Sequence, residues 1–163
     1  MRSLPDPGFA GDNGAADPTL TAALAAADAD PTGRAVLAVL CRARLLVPVV
    51  ALAGELATDG PTGLPQEKSA DVAAVLLRRP DGRRALLAFT SLETLRTWDP
   101  AARPVPVTAR DAARSAIHEG ADALLVDLAG PVRLVVETDE LAHLAAGHLL
   151  AATSSGYVWL AEG

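Results

Sequence analysis

Residues 85–100 read ALLAFTSLETLRTWDP, and the fold turns on how this stretch begins and ends. An apolar run stops at Phe89 and two hydroxyl residues follow. Thr90 and Glu93 have the T-x-x-E spacing of a capping box, so a helix is expected to start here. Leu92 and Leu95 lie three apart and share one face, and Pro100 bars continuation. Just upstream, RPDGR separates DVAAVLLR (71–78) from RALLAFT (84–90), and its Pro-Asp-Gly predicts a tight hairpin turn. Downstream, after AARPVPV, a second helix opens at Thr108. Its apolar positions Ala109, Ala112, Ala113, Ala116 and Ile117 follow helical spacing, and Gly120 stops it. A strand, ADALLVDL (121–128), comes next. About thirty residues containing helices thus join strand 84–90 to strand 122–128, which permits a right-handed parallel crossover.

The flanking elements extend the pattern. Residues 1–18 are rich in Pro, Gly and Asp and predict a disordered tail. A helix is expected over 19–28, capped by Thr19 or Thr21, and another from Pro31 and Thr32 to about Ala43. RLLVPVVAL (44–52) predicts a strand, placed at an edge or bulged because of Pro48. Residues 54–70 form a long polar loop. VRLVVE (132–137) is the hairpin partner of strand 121–128. Thr138 caps a last helix with Leu141, Leu144, Ala145, His148 and Leu149 on one face. The tail from about 153 adds a short strand or packs as an arm. The expectation is one α/β domain over 19–163, bordering on α+β. It has a mixed sheet of about five strands with helices packed against it.

Composition narrows the function classes. A chain of 163 residues buries roughly 70% of its unfolded surface, so it needs no disulfide or metal to fold. Half its residues are hydrophobic but only five are aromatic, so the core must be Leu, Val and Ala. A net charge of −6 disfavours a general nucleic-acid binder. The single cysteine, Cys41, excludes an internal disulfide and fits a cytoplasmic protein. No apolar stretch reads as a signal peptide or reaches the length of a membrane span.

DGRRALLAFTSLETLRTWDP followed by GADALLVDLAGPVRLVVE resembles the N-terminal domain of the enhanced serine sensitivity protein family, SseB. The order of elements agrees as well, and the likeness covers roughly residues 20–147. The resemblance implies a soluble bacterial protein from a family with no agreed biochemical activity, to whose name a sulfurtransferase-like role has been attached. It carries over no catalytic residues. Longer members have a second, C-terminal domain, and this chain is expected to end before one.

Several residues are candidates for function. With a parallel crossover, Thr90 and Ser91 fall at the carboxyl end of one strand and Asp127 near that of its neighbour, where open α/β sheets bind ligands. Capping and turn-bracing explain the same residue types. Ser91 lacks a G-x-S-x-G context and is no hydrolase nucleophile. Arg78, Arg79, Arg83 and Arg84 crowd one hairpin tip of an acidic molecule and invite an anionic partner. Tyr157 and Trp159 alternate on one side of the C-terminal segment, either over the core or as a patch for a partner or a second copy. Cys41, late in a helix, predicts an inert thiol. On a continuous helix His143 and His148 point about 140° apart and cannot share a metal; His118 stands alone. No metal, cofactor or catalytic set is expected. The leading reading is a non-enzymatic interaction module, with self-association as one form of partnership. The alternative is a small-molecule site at Thr90, Ser91 and Asp127, with sulfur transfer through Cys41 last.

Overall fold

The structure is a computed structural model that describes residues 11–30, 32–51 and 72–161. The expected polar loop at 54–70 and residues 1–10 of the expected tail lie outside the described residues. Residues 11–17 are tied down: Arg44 Nε pairs with Asp12 at 2.7 Å and the Leu92 N–H donates to the Gly14 carbonyl at 2.7 Å. Helix α1 (Pro18–Ala25) is capped by Asp17, whose carboxylate accepts from the Thr19 N–H at 2.8 Å. Neither Thr19 nor Thr21 is therefore the cap; Pro18 occupies the first turn, where its missing N–H costs nothing. Helix α2 (Arg34–Leu40) starts later than expected, after Gly33 at φ +70°. Asp30 holds that entry by accepting from the Thr32 hydroxyl and the Ala35 N–H.

Strand β1 (Arg44–Ala51) lies between β2 (Val72–Ala74) and β5 (Arg103–Thr108), antiparallel to both. Strand β3 (Leu76–Arg78) forms the expected hairpin with β4 (Arg84–Ala88). Strand β4 runs parallel to β6 (Ala123–Val126), with Ala85 opposite Ala123 and Ala88 opposite Val126, so the inferred crossover is present. Strand β7 (Leu134–Glu137) closes the four-stranded order β3-β4-β6-β7 as the partner of β6. Leu46 and Phe89 exchange backbone hydrogen bonds at 2.7 and 2.8 Å and join the two sheets. A C-terminal hairpin, β8 (Leu149–Thr153) and β9 (Gly156–Leu160), is a third sheet. The mixed α/β class holds, with the strands divided among three sheets.

The prolines find their places by backbone direction. The Leu46 N–H points away from β5 to Phe89, so Leu46 and Pro106 are not a hydrogen-bonded pair. Pro48 and Pro104, paired two residues along, share that phase. Pro104 and Pro106 thus lack N–H groups that would only have faced out from an edge strand. Pro48 sits in an internal strand, not at the expected edge. Its missing N–H falls where β2 leaves β1: Val49 opposite Ala74 is the last pair, and the Val75 carbonyl already accepts from Leu87 of β4.

The larger core fills the helix-covered face of the sheets. Leu45, Val47, Leu86, Ala88, Leu124 and Val126 meet side chains from α1, α2, α4 (Ala109–His118) and α5 (Thr138–Ala145). Ala109, Ala112, Ala113 and Ala116 have no exposed surface, which brings α4 close to the sheet. Ile117 falls outside this stripe and is 48% exposed, because 100° per residue carries it roughly 40° past Ala113. Helix α5 ends at Ala145, and Gly147 at φ +82° turns the chain, so His148 and Leu149 do not extend its face. Thr138 is not its cap either; Glu137 holds that position. A smaller core covers part of the opposite sheet face. There α3 (Leu92–Trp98) lays Leu95 over Leu87, Leu125 and Phe89, and the Trp98 ring stacks on Phe89 at 5.5 Å.

Candidate functional site

The parallel β4–β6 pair brings Thr90 and Asp127 together at the carboxyl ends of both strands. Asp127 follows β6 directly, donates its N–H to the Ala88 carbonyl at 3.0 Å, and has φ +57°, a left-handed conformation Asp tolerates. Its Oδ1 accepts from the Thr90 N–H at 2.8 Å and the Thr94 hydroxyl at 2.9 Å; its Oδ2 accepts from the Thr90 hydroxyl at 2.7 Å. Thr90, Ser91 and Asp127 are the buried polar residues of the described chain, and no buried side-chain polar atom there lacks a partner. Because Asp127 claims Thr90, the helix cap moves one residue on. Ser91 Oγ accepts from the Thr94 N–H at 3.1 Å and Thr94 Oγ1 accepts from the Ser91 N–H at 3.3 Å. The expected Thr90–Glu93 box is therefore a Ser91–Thr94 box. Arg44 locks the outer side by donating to the Thr90 carbonyl at 3.0 Å. A cleft of about 400 Å³ opens over the trio between Thr21, Leu24, Glu93 and Pro131. Its polar floor is saturated from within, and Glu93 at the start of α3 opposes an anion.

The arginine hairpin is built as expected at its turn: Arg79 N–H to Arg83 carbonyl at 2.8 Å, and Gly82 at φ +92°. Its four arginines do not form one cluster. Strand alternation puts Arg78 and Arg84 in phase with Leu76 and Leu86, on the helix side. There the Arg84 guanidinium donates to the Gly120 carbonyl at 2.9 Å. Arg79 and Arg83 take the other face, in phase with Leu77 and Ala85. Arg83 pairs with Glu137 at 2.5 Å; that hydrogen bond raises the guanidinium's pKa above its ordinary value. Arg79 has only Asp81 nearby, at 3.9 Å.

On this face α3 covers one end of the sheet and leaves the other open. A cleft of about 260 Å³ remains, floored by Leu77, Ala85, Ala123, Leu125, Leu128 and Val135. Arg79, Arg83 and Arg133 rim it, with Glu137 beside Arg83, and Arg84 also contributes to its lining although its guanidinium is held at the Gly120 carbonyl. Leu77 and Val135 are 39% and 48% exposed. Arg133 was not among the residues the sequence singled out. The alternation of VRLVVE contains it, because 133, 135 and 137 share a face opposite the buried Val136.

The remaining candidates pack against the body of the domain. Tyr157 and Trp159 are half-buried against the larger core. The Trp159 ring stacks on His143 at 4.6 Å. The early end of α5 brings together two histidines expected to diverge: His143 and His148 Nδ1 lie 2.8 Å apart, one donating and the other accepting. Among the described residues no three metal-ligating groups cluster. Cys41 lies in the turn after α2, half-buried, and burial pushes its thiol pKa up despite a hydrogen bond with the Leu150 backbone.

Set beside known proteins, the chain matches the family model of the SseB protein N-terminal domain over residues 20–143. No curated protein and no solved structure matches it.

Proposed function

Because the chain belongs to the SseB family through its N-terminal domain, we propose that it is a non-enzymatic interaction module that captures an acidic segment of another protein. The docking face is the open half of the β3-β4-β6-β7 sheet. One observation carries this reading: an apolar cleft floor, exposed at Leu77 and Val135 where the short α3 does not reach, is rimmed by Arg79, Arg83 and Arg133 on a chain of net charge −6. A local positive rim on an acidic body selects acidic partners and turns away basic ones, setting specificity and encounter rate more than raw affinity. Bare aliphatic floor supplies the burial that ion pairs at a rim do not. The cleft lining has no aromatic side chain on which a base would stack, which argues against nucleic acid. The small-molecule reading at Thr90, Ser91 and Asp127 is disfavoured because their polar atoms already satisfy one another. We place the module in the bacterial cytoplasm, as the family resemblance suggests. No helix among the described residues is long and apolar enough to cross a membrane.

Selection of displayed random peptides on the immobilised chain tests this. Acidic peptides with apolar centres are expected to be enriched on the wild type and lost on the Arg79→Glu/Arg133→Glu variant, whose melting temperature stays within a degree or so of wild type because both side chains are exposed. Enrichment that ignores charge, or survives the double reversal, removes the cleft from the account.

A further inference from the structure

The rim fixes the charge of a partner; the strand order fixes its shape. Strand β7 is the last strand of β3-β4-β6-β7, and no strand of the described chain pairs with its outer edge. Backbone groups of successive residues in an antiparallel strand point alternately inward and outward. Every second residue of β7 therefore presents its N–H and C=O to the outside. Native edges are usually blunted by bulges, prolines or a covering element. Here no bulge or proline interrupts Leu134–Glu137; the edge is blunted only by its shortness and by the charges of Arg133 and Glu137, and Val135 at mid-strand is 48% exposed.

Side-chain phase ties this edge to the cleft. Val135 and Glu137 face it together with Arg133, while Val136 is buried in the larger core. The geometry points to β7 as a docking edge: an extended acidic–apolar segment of another protein adds to it as a further strand and lays alternate side chains beside the cleft. This inference rests on the cleft reading above and specifies how the partner lies there.

The register of such a segment follows from the residues it would neighbour. A strand laid on β7 sits about 4.8 Å away, and side chains directly opposite have Cβ atoms about 5 Å apart. Its residue opposite Val135 is apolar. Its residue opposite Arg133 is acidic. The far end meets Arg83 and Arg79 against the single carboxylate of Glu137, a net positive end, and a flanking acid is favoured there as well. The motif is acid, apolar, acid with every second residue turned away, spanning about 13 Å over four residue steps. A helical segment of the same composition places its acids on a different period and leaves the β7 edge unpaired.

The test uses the full chain and a fluorescein-labelled nine-residue peptide, Glu-Ser-Val-Ser-Glu-Ser-Val-Ser-Glu, whose glutamates and valines alternate along one face of a strand, followed by anisotropy. Two further peptides are N-methylated on alternate backbone nitrogens, one in each phase. Strand addition predicts that one phase weakens binding about tenfold or more while the other stays within about twofold of the parent, since only one set of N–H groups faces β7. Hydrogen exchange is expected to slow at alternate amides of 134–137. Equal binding by both methylated phases, with sensitivity to Arg133→Glu retained, overturns strand addition and leaves the charged cleft standing. Equal binding by an isomer with helical spacing does the same. Absence of binding by the parent peptide at millimolar concentration overturns both readings.

Discussion

Replacing Asp127 separates a structural brace from a chemical group at the strand ends. Its carboxylate accepts from three donors: the Thr90 N–H, the Thr90 hydroxyl and the Thr94 hydroxyl. In Asp127→Ala all three lose their acceptor. The Thr94 hydroxyl can turn to the Ser91 carbonyl, 3.0 Å away, so its loss is small. Thr90 is only 4% exposed and has no such exit. Two buried donors left unpaired cost about 1–2 kcal/mol each. Alanine at φ +57° adds about 1 kcal/mol, because the left-handed region that Asp and Asn tolerate is unfavourable for it. The sum is about 3–5 kcal/mol, a large part of the 5–15 kcal/mol typical of a domain.

Asp127→Asn behaves differently. Asparagine tolerates the same backbone conformation, its carbonyl keeps the Oδ1 contacts, and its amide donates to the Thr90 hydroxyl oxygen, so that only the Thr90 hydroxyl proton loses its acceptor. A cost of about 1 kcal/mol is expected. Urea unfolding followed by far-UV circular dichroism reads both variants. With a slope near 2 kcal/mol per molar urea, the alanine variant shifts the midpoint down by about 2 M and the asparagine variant by about 0.5 M. An alanine variant within about 1 kcal/mol of wild type would falsify the brace. The carboxylate would then be free for other work, and the strand-end cleft would return as the leading site.

Three further expectations follow from the packing and the titrating groups. Ala113→Leu forces α4 off the sheet and is expected to cost about 2–3 kcal/mol or more, read as a lowered melting temperature; a neutral result would mean the helix does not sit where its alanines place it. Cys41 is expected to alkylate more slowly in the native chain than in urea, because burial raises its thiol pKa, and neither wild type nor Cys41→Ala should transfer sulfur from thiosulfate to cyanide; turnover lost in the alanine variant would refute this. Asp30 is held below the ordinary carboxylate range, first by the Thr32 hydroxyl and then by the Ala35 N–H. A depressed folded value gives stability that is present above the unfolded pKa and lost as pH falls through the folded one. The gap between wild type and Asp30→Asn should therefore narrow as pH drops below about 4, measured as urea midpoints; a constant gap would count against the turn.

What could be read from the chain was what local chemistry decides. The hairpin at Pro80-Asp81-Gly82, the parallel partnership of strands 84–90 and 122–128, and the alanine stripe of α4 each carry their own signal of turn residue or period. What escaped depended on distant residues. Thr90 looks like a cap until Asp127, thirty-seven positions on, takes both its donors. Strand β5 was hidden because Pro104 and Pro106 argue against a strand unless their missing N–H groups face out, and only the direction of the Leu46 N–H shows that they do. The histidines were read on a helix that Gly147 cuts short. Arg133 drew no notice because a single charge in an alternating strand looks ordinary until the open sheet face beneath it is seen.

The two sheet faces carry different burdens, and that difference is why the function is sought on one of them. On the helix side the buried positions are apolar, and Arg84 there is spent on the carbonyl of Gly120. At the strand ends the hydroxyls and the carboxylate are consumed in capping α3 and holding β6 to β4. Both regions would look as they do in a protein that bound nothing. The open half of the other face would not. Stability gains little from aliphatic side chains left in water, and little from exposed arginines beside them. Leu77 and Val135 could be polar at no cost to either core, since neither belongs to one. Folding therefore explains the buried polar trio and leaves the exposed apolar floor, with Arg79 and Arg133 above it, unaccounted for. Replacing Leu77 and Val135 by threonine should leave the urea midpoint within a few tenths molar of wild type while weakening the acidic peptide; a large loss of stability would assign the floor to folding after all.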